Sequence, residues 1–258
     1  MSPVQSYPHI RHHLLLLLLG VIVTLGVVQA SRLPAEVGSQ PHSISLRRNG
    51  AHVCGGALIR EKWILTAAHC VSLGGGQQSY PARSYNVRVG SIQRLAGGQL
   101  LPLTNVIIHQ NYSSSLAAGS NDLALLELHS PVVLNANTKP IDLATERPAA
   151  GAQITFSGWG SSQVDGSLSH GLQVATRQSL SASDCQKELF LEQEDLLCLS
   201  PVAEDFAGLC SGDAGAPAAY NNQLVGIAAF FVSGCASGQP DGYVDVTQHL
   251  EWINANAV

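Results

Sequence analysis

Short apolar segments recur along the chain and alternate with stretches rich in Gly, Ser, Asn and Pro. The segments are HSISLR, CGGALI, WILTAAH, NVRVG, NVIIH, LALLEL, AQITFSGWG, LLCLS and LVGIAAFFV. Many short strands at this spacing, separated by turn-forming residues, are typical of a β-sandwich or a β-barrel. The pattern therefore predicts an all-β fold.

The last segment of the chain has a different periodicity. In VTQHLEWINANAV, the apolar residues Val246, Leu250 and Ile253 recur at helical spacing. One face of a helix is apolar when residues repeat in this way. We expect the chain to end in a helix that packs on the body of the domain.

The first thirty residues have the composition of a secretory signal peptide. Residues 14–19 are consecutive leucines, Arg11 precedes them, and Val28-Gln29-Ala30 ends the apolar run with small residues. This order matches a cleavable signal. The alternative is a membrane anchor, but a run of about fifteen residues is short for a span that needs about twenty. We expect a signal peptide over 1–30 and one domain over 31–258, with no membrane span.

All six cysteines follow the predicted signal peptide, and they are Cys54, Cys70, Cys185, Cys198, Cys210 and Cys235. An even number in a secreted chain predicts three disulfides, for which sequence alone allows fifteen pairings. The sequence has no Cys-x-x-Cys motif. The histidines of the expected mature chain have no ligand spacing; outside the motifs described below they are His42, His52, His109, His129, His170 and His249. We expect those histidines to be structural, and we expect no metal and no cofactor.

Charge is distributed unequally between the two parts of the expected mature chain. Residues 31–142 carry nine basic and five acidic side chains, whereas residues 143–258 carry three basic and thirteen acidic ones. The chain has no basic tract of the kind that binds nucleic acid. Much of the acid lies in SDCQKELFLEQEDLL, at Asp184, Glu188, Glu192, Glu194 and Asp195. This segment is either a solvated surface or a docking site for a basic partner.

Asn111-Tyr112-Ser113 forms an N-glycosylation sequon, which a secreted chain can use. We therefore expect Asn111 to be a candidate glycosylation site.

Three short motifs carry the chemistry. LTAAHC contains His69, SNDLALLEL contains Asp122, and CSGDAGAP contains Ala214. Their order, together with CGGALI, SGWG, LVGI and EWI, resembles the chymotrypsin-like serine protease family over essentially the whole expected mature chain. The resemblance implies two six-stranded antiparallel β-barrels and a C-terminal helix. It also implies the disulfides Cys54–Cys70, Cys185–Cys198 and Cys210–Cys235.

The same resemblance assigns catalytic positions. In the family a serine attacks the scissile carbonyl, a histidine takes the proton of that serine, and an aspartate orients the histidine. His69 and Asp122 match the last two positions, and Ala214 occupies the position of the serine. A methyl group has no lone pair, so the resemblance implies that covalent catalysis is lost. Gly212 and Asp213 correspond to the oxyanion loop.

Other positions depart from the family pattern. Active members begin, after cleavage, with a motif such as Ile-Val-Gly-Gly, whose amino group pairs with the aspartate that corresponds to Asp213. Here that motif is replaced by residues 29–32, QASR, so we expect Asp213 to lack a partner and its loop to be zymogen-like. Ala216 replaces a glycine of the loop. If its φ is positive, this alanine costs on the order of 1 kcal/mol.

The specificity pocket is also altered. Its equivalents in this sequence are Gly208, Ala229, Phe231 and Asp241. Phe231 stands where the family has a glycine, and we expect its ring to occlude the pocket. An alternative is a shifted substrate preference.

The resemblance implies a secreted, inactive serine protease homologue. Such proteins act as cofactors, decoys or adaptors in extracellular proteolytic cascades, including innate immunity, and we expect a monomer that binds extracellular proteins such as an active serine protease or a zymogen. One alternative is a hydrolase with residual activity or with an unorthodox nucleophile such as Ser211. Another is a module that binds surfaces or glycans, which the expected mature charge, twelve basic against eighteen acidic residues, disfavours.

Overall fold

The structure is a computed structural model that describes residues 32–115, 121–202, 207–235 and 237–258. The predicted signal peptide lies outside the described residues. The strands of the described chain pair almost entirely antiparallel, and they are organised into two closed barrels followed by a short helix.

The first barrel contains six strands. They are β2 (Ser43–Arg48), β3 (Ala51–Arg60), β4 (Trp63–Thr66), β5 (Tyr85–Val89), β6 (Gln99–Ile108) and β7 (Ala124–Leu128). Their order around the barrel is β2-β3-β4-β7-β6-β5. The turn between β2 and β3 contains Asn49 and Gly50, both at positive φ, which suits an Asn-Gly hairpin.

The second barrel also contains six strands. They are β9 (Gln153–Gly158), β10 (Gln173–Ser179), β11 (Leu196–Ser200), β12 (Pro217–Tyr220), β13 (Gln223–Phe230) and β14 (Asp241–Asp245). Pairing runs β9-β10-β11-β14-β13-β12 and closes between β12 and β9. Two short strands join this sheet: β1 (Leu33–Pro34) pairs with β10, and β8 (Asp142–Leu143) pairs with β13. The predicted pair of six-stranded barrels is confirmed.

The described residues form two α-helices, α1 (Ala182–Leu189) and α2 (Leu250–Asn256). The hydroxyl of Ser181 caps α1 by accepting a hydrogen bond from the backbone N–H of Asp184. A 3-10 turn, Val246–His249, leads directly into α2. The predicted C-terminal helix is therefore confirmed, and Trp252 and Ile253 are its buried residues.

Three apolar clusters hold the molecule together. One fills the first barrel around Leu46, Leu58 and Leu126, and another fills the second around Phe156 and Leu197. The third cluster lies between the barrels, and it includes side chains of β3, β4, β7, β13, β14 and α2. The helix α2 thus packs against both barrels where they meet. The chain segments that carry the candidate site lie along the same junction.

Candidate functional site

The structure brings the three triad-equivalent positions to the junction between the barrels. His69 lies in a 3-10 turn, Ala68–Cys70, that follows β4. Asp122 precedes β7, and Ala214 lies in the loop before β12. Segments beside strands of both barrels therefore supply the site.

His69 and Asp122 form a close pair. The Nδ1 atom of His69 donates to Oδ2 of Asp122 at 2.6 Å, and the backbone N–H of His69 donates to Oδ1 at 2.8 Å. Burial lowers the pKa of His69, but the hydrogen bond and the charge of Asp122 outweigh it, so the pKa is raised above its usual value. This geometry leaves Nε2 of His69 as the nitrogen available to a reacting group.

Ala214 faces the same cavity as His69. The cavity has a volume of about 240 Å³, and its walls include His69, Leu209, Ser211, Ala214 and Phe231. Ser211 is exposed. In place of a nucleophile, Ala214 offers a methyl group, which can neither attack nor donate a proton.

The four residues expected from sequence to form a specificity pocket are placed differently from one another. Ala229 and Phe231 line the cavity, and Phe231 is half-buried against the core of the second barrel. Because a cavity remains beside Phe231, its ring forms a wall of the pocket and does not fill it completely. Gly208 and Asp241 do not line the cavity but lie against each other, since a Cβ atom at Gly208 would approach Oδ2 of Asp241 to 2.8 Å.

Asp241 is a buried carboxylate with a basic partner that the sequence did not reveal. Its Oδ2 atom lies 3.2 Å from Nη2 of Arg177 and accepts a hydrogen bond from the backbone N–H of Leu209 at 2.9 Å. Burial raises the pKa of Asp241 to about 6, although Arg177 opposes the shift. Within the protein, the guanidinium of Arg177 thus compensates the negative charge of the Asp241 carboxylate.

Asp213 has a partner, contrary to the expectation from sequence. Nη2 of Arg32 donates to Oδ2 of Asp213 at 2.6 Å, and both side chains are buried. Asp213 also accepts hydrogen bonds from the backbone N–H groups of Gly160 at 2.9 Å and Cys210 at 3.0 Å. The expectation was wrong because a chain-terminal amino group is not the one possible partner. The side-chain guanidinium of Arg32 carries the same positive charge and pairs with Asp213.

The SGWG motif forms the cradle for this carboxylate. A Cβ atom at Gly158 or at Gly160 would overlap the side chain of Asp213. These two positions therefore have to be glycine for Asp213 to lie in its buried position. Trp159, between them, is itself buried and donates from its indole nitrogen to the carbonyl of Ile92 at 3.0 Å.

His52 orients the loop from the side of the first barrel. Its Nε2 atom lies 3.0 Å from the carbonyl oxygen of Gly212, and its Nδ1 atom lies 2.8 Å from the hydroxyl of Ser45. A carbonyl can only accept, so Nε2 carries the proton and Nδ1 accepts from Ser45. Burial lowers the pKa of His52, which favours this neutral form. His52 was expected to be structural, and no motif in the sequence indicates its contact with Gly212.

The backbone of the loop is locked to both barrels. The backbone N–H of Gly55 donates to the carbonyl of Ala214 at 2.7 Å, and the N–H of Gly215 donates to the carbonyl of Ala228 at 2.8 Å. Gly215 has φ of +78°, whereas Ala216 is not among the residues at positive φ. The conformational cost considered for Ala216 therefore does not arise, and its side chain is completely buried.

The three disulfides, Cys54–Cys70, Cys185–Cys198 and Cys210–Cys235, join the expected pairs. Ligand atoms of Cys54, His69 and Cys70 lie within 4.8 Å of one another. Because the two sulfurs are bonded to each other, this group offers a single free donor atom, which is too few to hold a metal ion.

Two carboxylates of the acidic segment have partners within the protein, although Asp184 is itself exposed. The carboxylate of Asp184 accepts from Ser181 and Lys187, and Oδ2 of Asp195 lies 3.4 Å from Nε2 of His249. The remaining acidic side chains of the segment are exposed: Glu188, Glu192 and Glu194. Phe190, among them, is 90% exposed.

Asn111, the sequon residue, is also exposed. Within the described parts of the chain, no helix has the length and apolar character needed to cross a membrane.

Comparisons with known proteins agree with this geometry. Residues 31–253 match the sequence profile of the family described as Trypsin. The chain is 37% identical to serine protease SP24D of Anopheles gambiae over 85% of this chain and 77% of that protein. It is 32% identical to brachyurin of Leptuca pugilator over 85% of this chain and 94% of that protein.

Among solved structures, mouse neuropsin, described as a serine protease expressed in the limbic system, superposes with a TM-score of 0.79 at 25% identity. That superposition covers 88% of this chain and 99% of neuropsin. The family match, the identities and the two barrels agree, and the chain belongs to the trypsin family of serine proteases.

Proposed function

We propose that this chain is a secreted, catalytically inactive serine protease homologue that works by binding. Its role is that of a cofactor, decoy or adaptor in an extracellular proteolytic cascade such as innate immunity. The observation that carries the proposal is Ala214, which stands beside a well-formed His69–Asp122 pair without a nucleophile.

The chemistry of the site supports inactivity. In an active triad, the hydroxyl of the serine forms the acyl bond, and its proton moves to the histidine. Ala214 has no hydroxyl, so it has neither the oxygen that would form the acyl bond nor the proton that would move to the histidine. Removal of triad members leaves only a small residual rate that comes from binding and the oxyanion hole. The site can therefore hold a peptide in its cleft without cleaving it.

The competing function is a hydrolase with residual activity or another nucleophile. Ser211 is the nearest candidate, because it lines the same cavity as His69. We expect the purified protein to show no turnover of chromogenic peptide or ester substrates above background, and no labelling by a fluorophosphonate probe. The matched control is His69→Ala. Turnover or labelling that disappears in His69→Ala would contradict the proposal.

The partner surface is proposed to include Glu188, Glu192 and Glu194. Three exposed carboxylates around an exposed Phe190 combine charge with one apolar anchor. A basic patch on an active protease or a zymogen would complement them, and opposite charges mainly raise the association rate. Substituting the three glutamates with glutamine should lower the on-rate and its salt dependence toward such a partner. Asp195 is excluded from this test because it contacts His249.

Secretion and glycosylation complete the proposal. Three disulfides favour an oxidising compartment, and the exposed Asn111 can accept a glycan there. A glycan-binding role needs a dense basic face, which the acidic balance of the chain does not favour. Expression in a secretory cell line, with mass analysis of the medium before and after deglycosylation, tests both points.

A further inference from the structure

Asp213 is completely buried, and its carboxylate forms an ion pair with the guanidinium of Arg32, which lies 181 positions earlier in the chain. Arg32 lies just before β1, which pairs with β10 of the second barrel. This pairing fixes the main chain beside the loop. The guanidinium also lies 5.1 Å from the centre of the Phe156 ring, which limits its freedom to move.

The charged side chains bind three consecutive residues of the segment that leads to Ala214. Nη2 of Arg32 donates to the carbonyl of Gly208, Asp241 accepts from the N–H of Leu209, and Asp213 accepts from the N–H of Cys210. Each bond involves a backbone group, so the contacts determine the path of the main chain itself. Arg32 takes part in this set twice, once through Gly208 and once through Asp213.

We propose that Arg32 is the positioning group that orders residues 208–214, and that the loop takes this conformation without an amino terminus paired to Asp213. The charge is built into the chain as a side chain, so no activation cleavage is needed to place it. The contact of His52 with Gly212 then holds the next residue of the same loop.

The energetic reason lies in the burial of Asp213. A buried charge that loses its partner is strongly destabilising, because the charge remains out of water with nothing to compensate it. Without Arg32, the carboxylate would regain water by leaving its cradle between Gly158 and Gly160, and the loop would move with it. A loop that opens in this way exchanges its amide hydrogens faster.

Hydrogen exchange measured by mass spectrometry tests the proposal on the full chain with its disulfides intact. We expect peptides that cover 207–217 to exchange at least tenfold faster in Arg32→Met, and Arg32→Lys to stay within about threefold of the natural chain. Arg147→Met is the matched control. It removes a guanidinium from another pair of the second barrel, Arg147 with Asp245 at 3.1 Å, and should leave the exchange of 207–217 unchanged.

The double variant Arg32→Met/Asp213→Asn keeps the test valid if Arg32→Met does not fold. It buries no lone charge, so the barrel should fold. The bond from Arg32 to the buried carbonyl of Gly208 is still missing, and a buried acceptor without a partner is costly, so the loop should still exchange at least tenfold faster. The proposal is overturned if the double variant or Arg32→Met protects residues 207–217 as well as the natural chain does. It is also overturned if Arg147→Met accelerates their exchange equally.

Discussion

The two barrels have the same number of strands but are stabilised in different ways. The interior of the first is aliphatic, with Leu46, Leu58, Ile64 and Leu126 fully buried, and its ion pair Lys62–Glu127 lies at the surface. The second barrel buries the aspartates of three Arg–Asp pairs: Arg32–Asp213, Arg177–Asp241 and Arg147–Asp245. Two of these pairs bind the backbone of residues 208–210. The first barrel is therefore mainly a packed support, whereas the second uses charge to position a loop.

The largest effect should come from breaking a charge pair inside the second barrel. Arg177→Met leaves Asp241 buried without its partner, so the free energy of unfolding should fall by about 3–5 kcal/mol. Urea denaturation with intact disulfides measures the loss. The double variant Arg177→Met/Asp241→Asn should recover most of it, because it buries no lone charge. A loss below about 1 kcal/mol in the single variant would contradict the electrostatic description of this barrel.

A cavity in the first barrel should cost slightly less and should respond differently to conditions. Leu126→Ala removes buried methyl groups from the first core, and such changes cost about 2–5 kcal/mol. Because no charge is involved, the loss should be the same at pH 4 and pH 7 and at low and high salt. The same urea titration, repeated under each condition, checks this. A loss that changed markedly with pH would mean that the first core is also coupled to titrating groups.

The pH dependence of stability should separate the barrels further. Asp241 has a pKa raised to about 6 in the folded protein, so it binds a proton more tightly when folded. Its contribution is therefore present below its unfolded pKa and is lost as pH rises from about 4 to 6, by roughly 2–3 kcal/mol. His42 and His109 have pKa values lowered to about 4, mainly by burial, and they act in the opposite direction.

Asp241→Asn should remove only the first of these contributions. The stability of this variant should then rise more steeply between pH 4 and pH 6 than that of the natural chain. Urea titrations at pH 4, 5 and 6 compare the two proteins. Parallel curves would contradict the assignment of the shift to Asp241.

The smallest effect should appear at the boundary between the barrels. Asp122→Asn removes the charge that raises the pKa of His69, and burial, which lowers it, remains. The pKa of His69 should therefore fall below 6.5, as followed by NMR titration of the imidazole. Asp142→Asn, a change at an exposed carboxylate, should leave the pKa of His69 unchanged. An unchanged pKa in Asp122→Asn would mean that the pair contributes little to the site.

Local patterns predicted the strands best where apolar residues dominate. LLCLS became β11 over its whole length, and LVGIAAFFV contains most of β13. The pattern did not single out β10 or β14, because β10 carries Thr176, Arg177 and Gln178 and β14 begins at Asp241. Thr176 and Gln178 are exposed, whereas Arg177 and Asp241 are buried as partners of each other, which a local pattern does not encode.

Sequence motifs likewise predicted some residues of the candidate site and did not reveal others. Motifs located His69, Asp122, Ala214 and the six cysteines, because each lies next to a recognisable segment. They did not reveal Arg32, Arg177 or His52. Arg32 pairs with Asp213, 181 positions away, Arg177 pairs with Asp241, and His52 contacts the backbone carbonyl of Gly212, 160 positions away. A lone arginine or histidine has no sequence signature, and only the closed barrels bring it to its partner.

The supply of charge by Arg32 has a practical consequence for protein engineering. A backbone α-amino group is free only at the amino terminus of a chain, whereas a side chain can deliver its charge from within a continuous polypeptide. The salt link with Asp213 therefore does not compete with a peptide bond ahead of Arg32. A purification tag, a reporter domain or a display anchor fused upstream should leave the cleft in its natural shape, without a processing site in the linker.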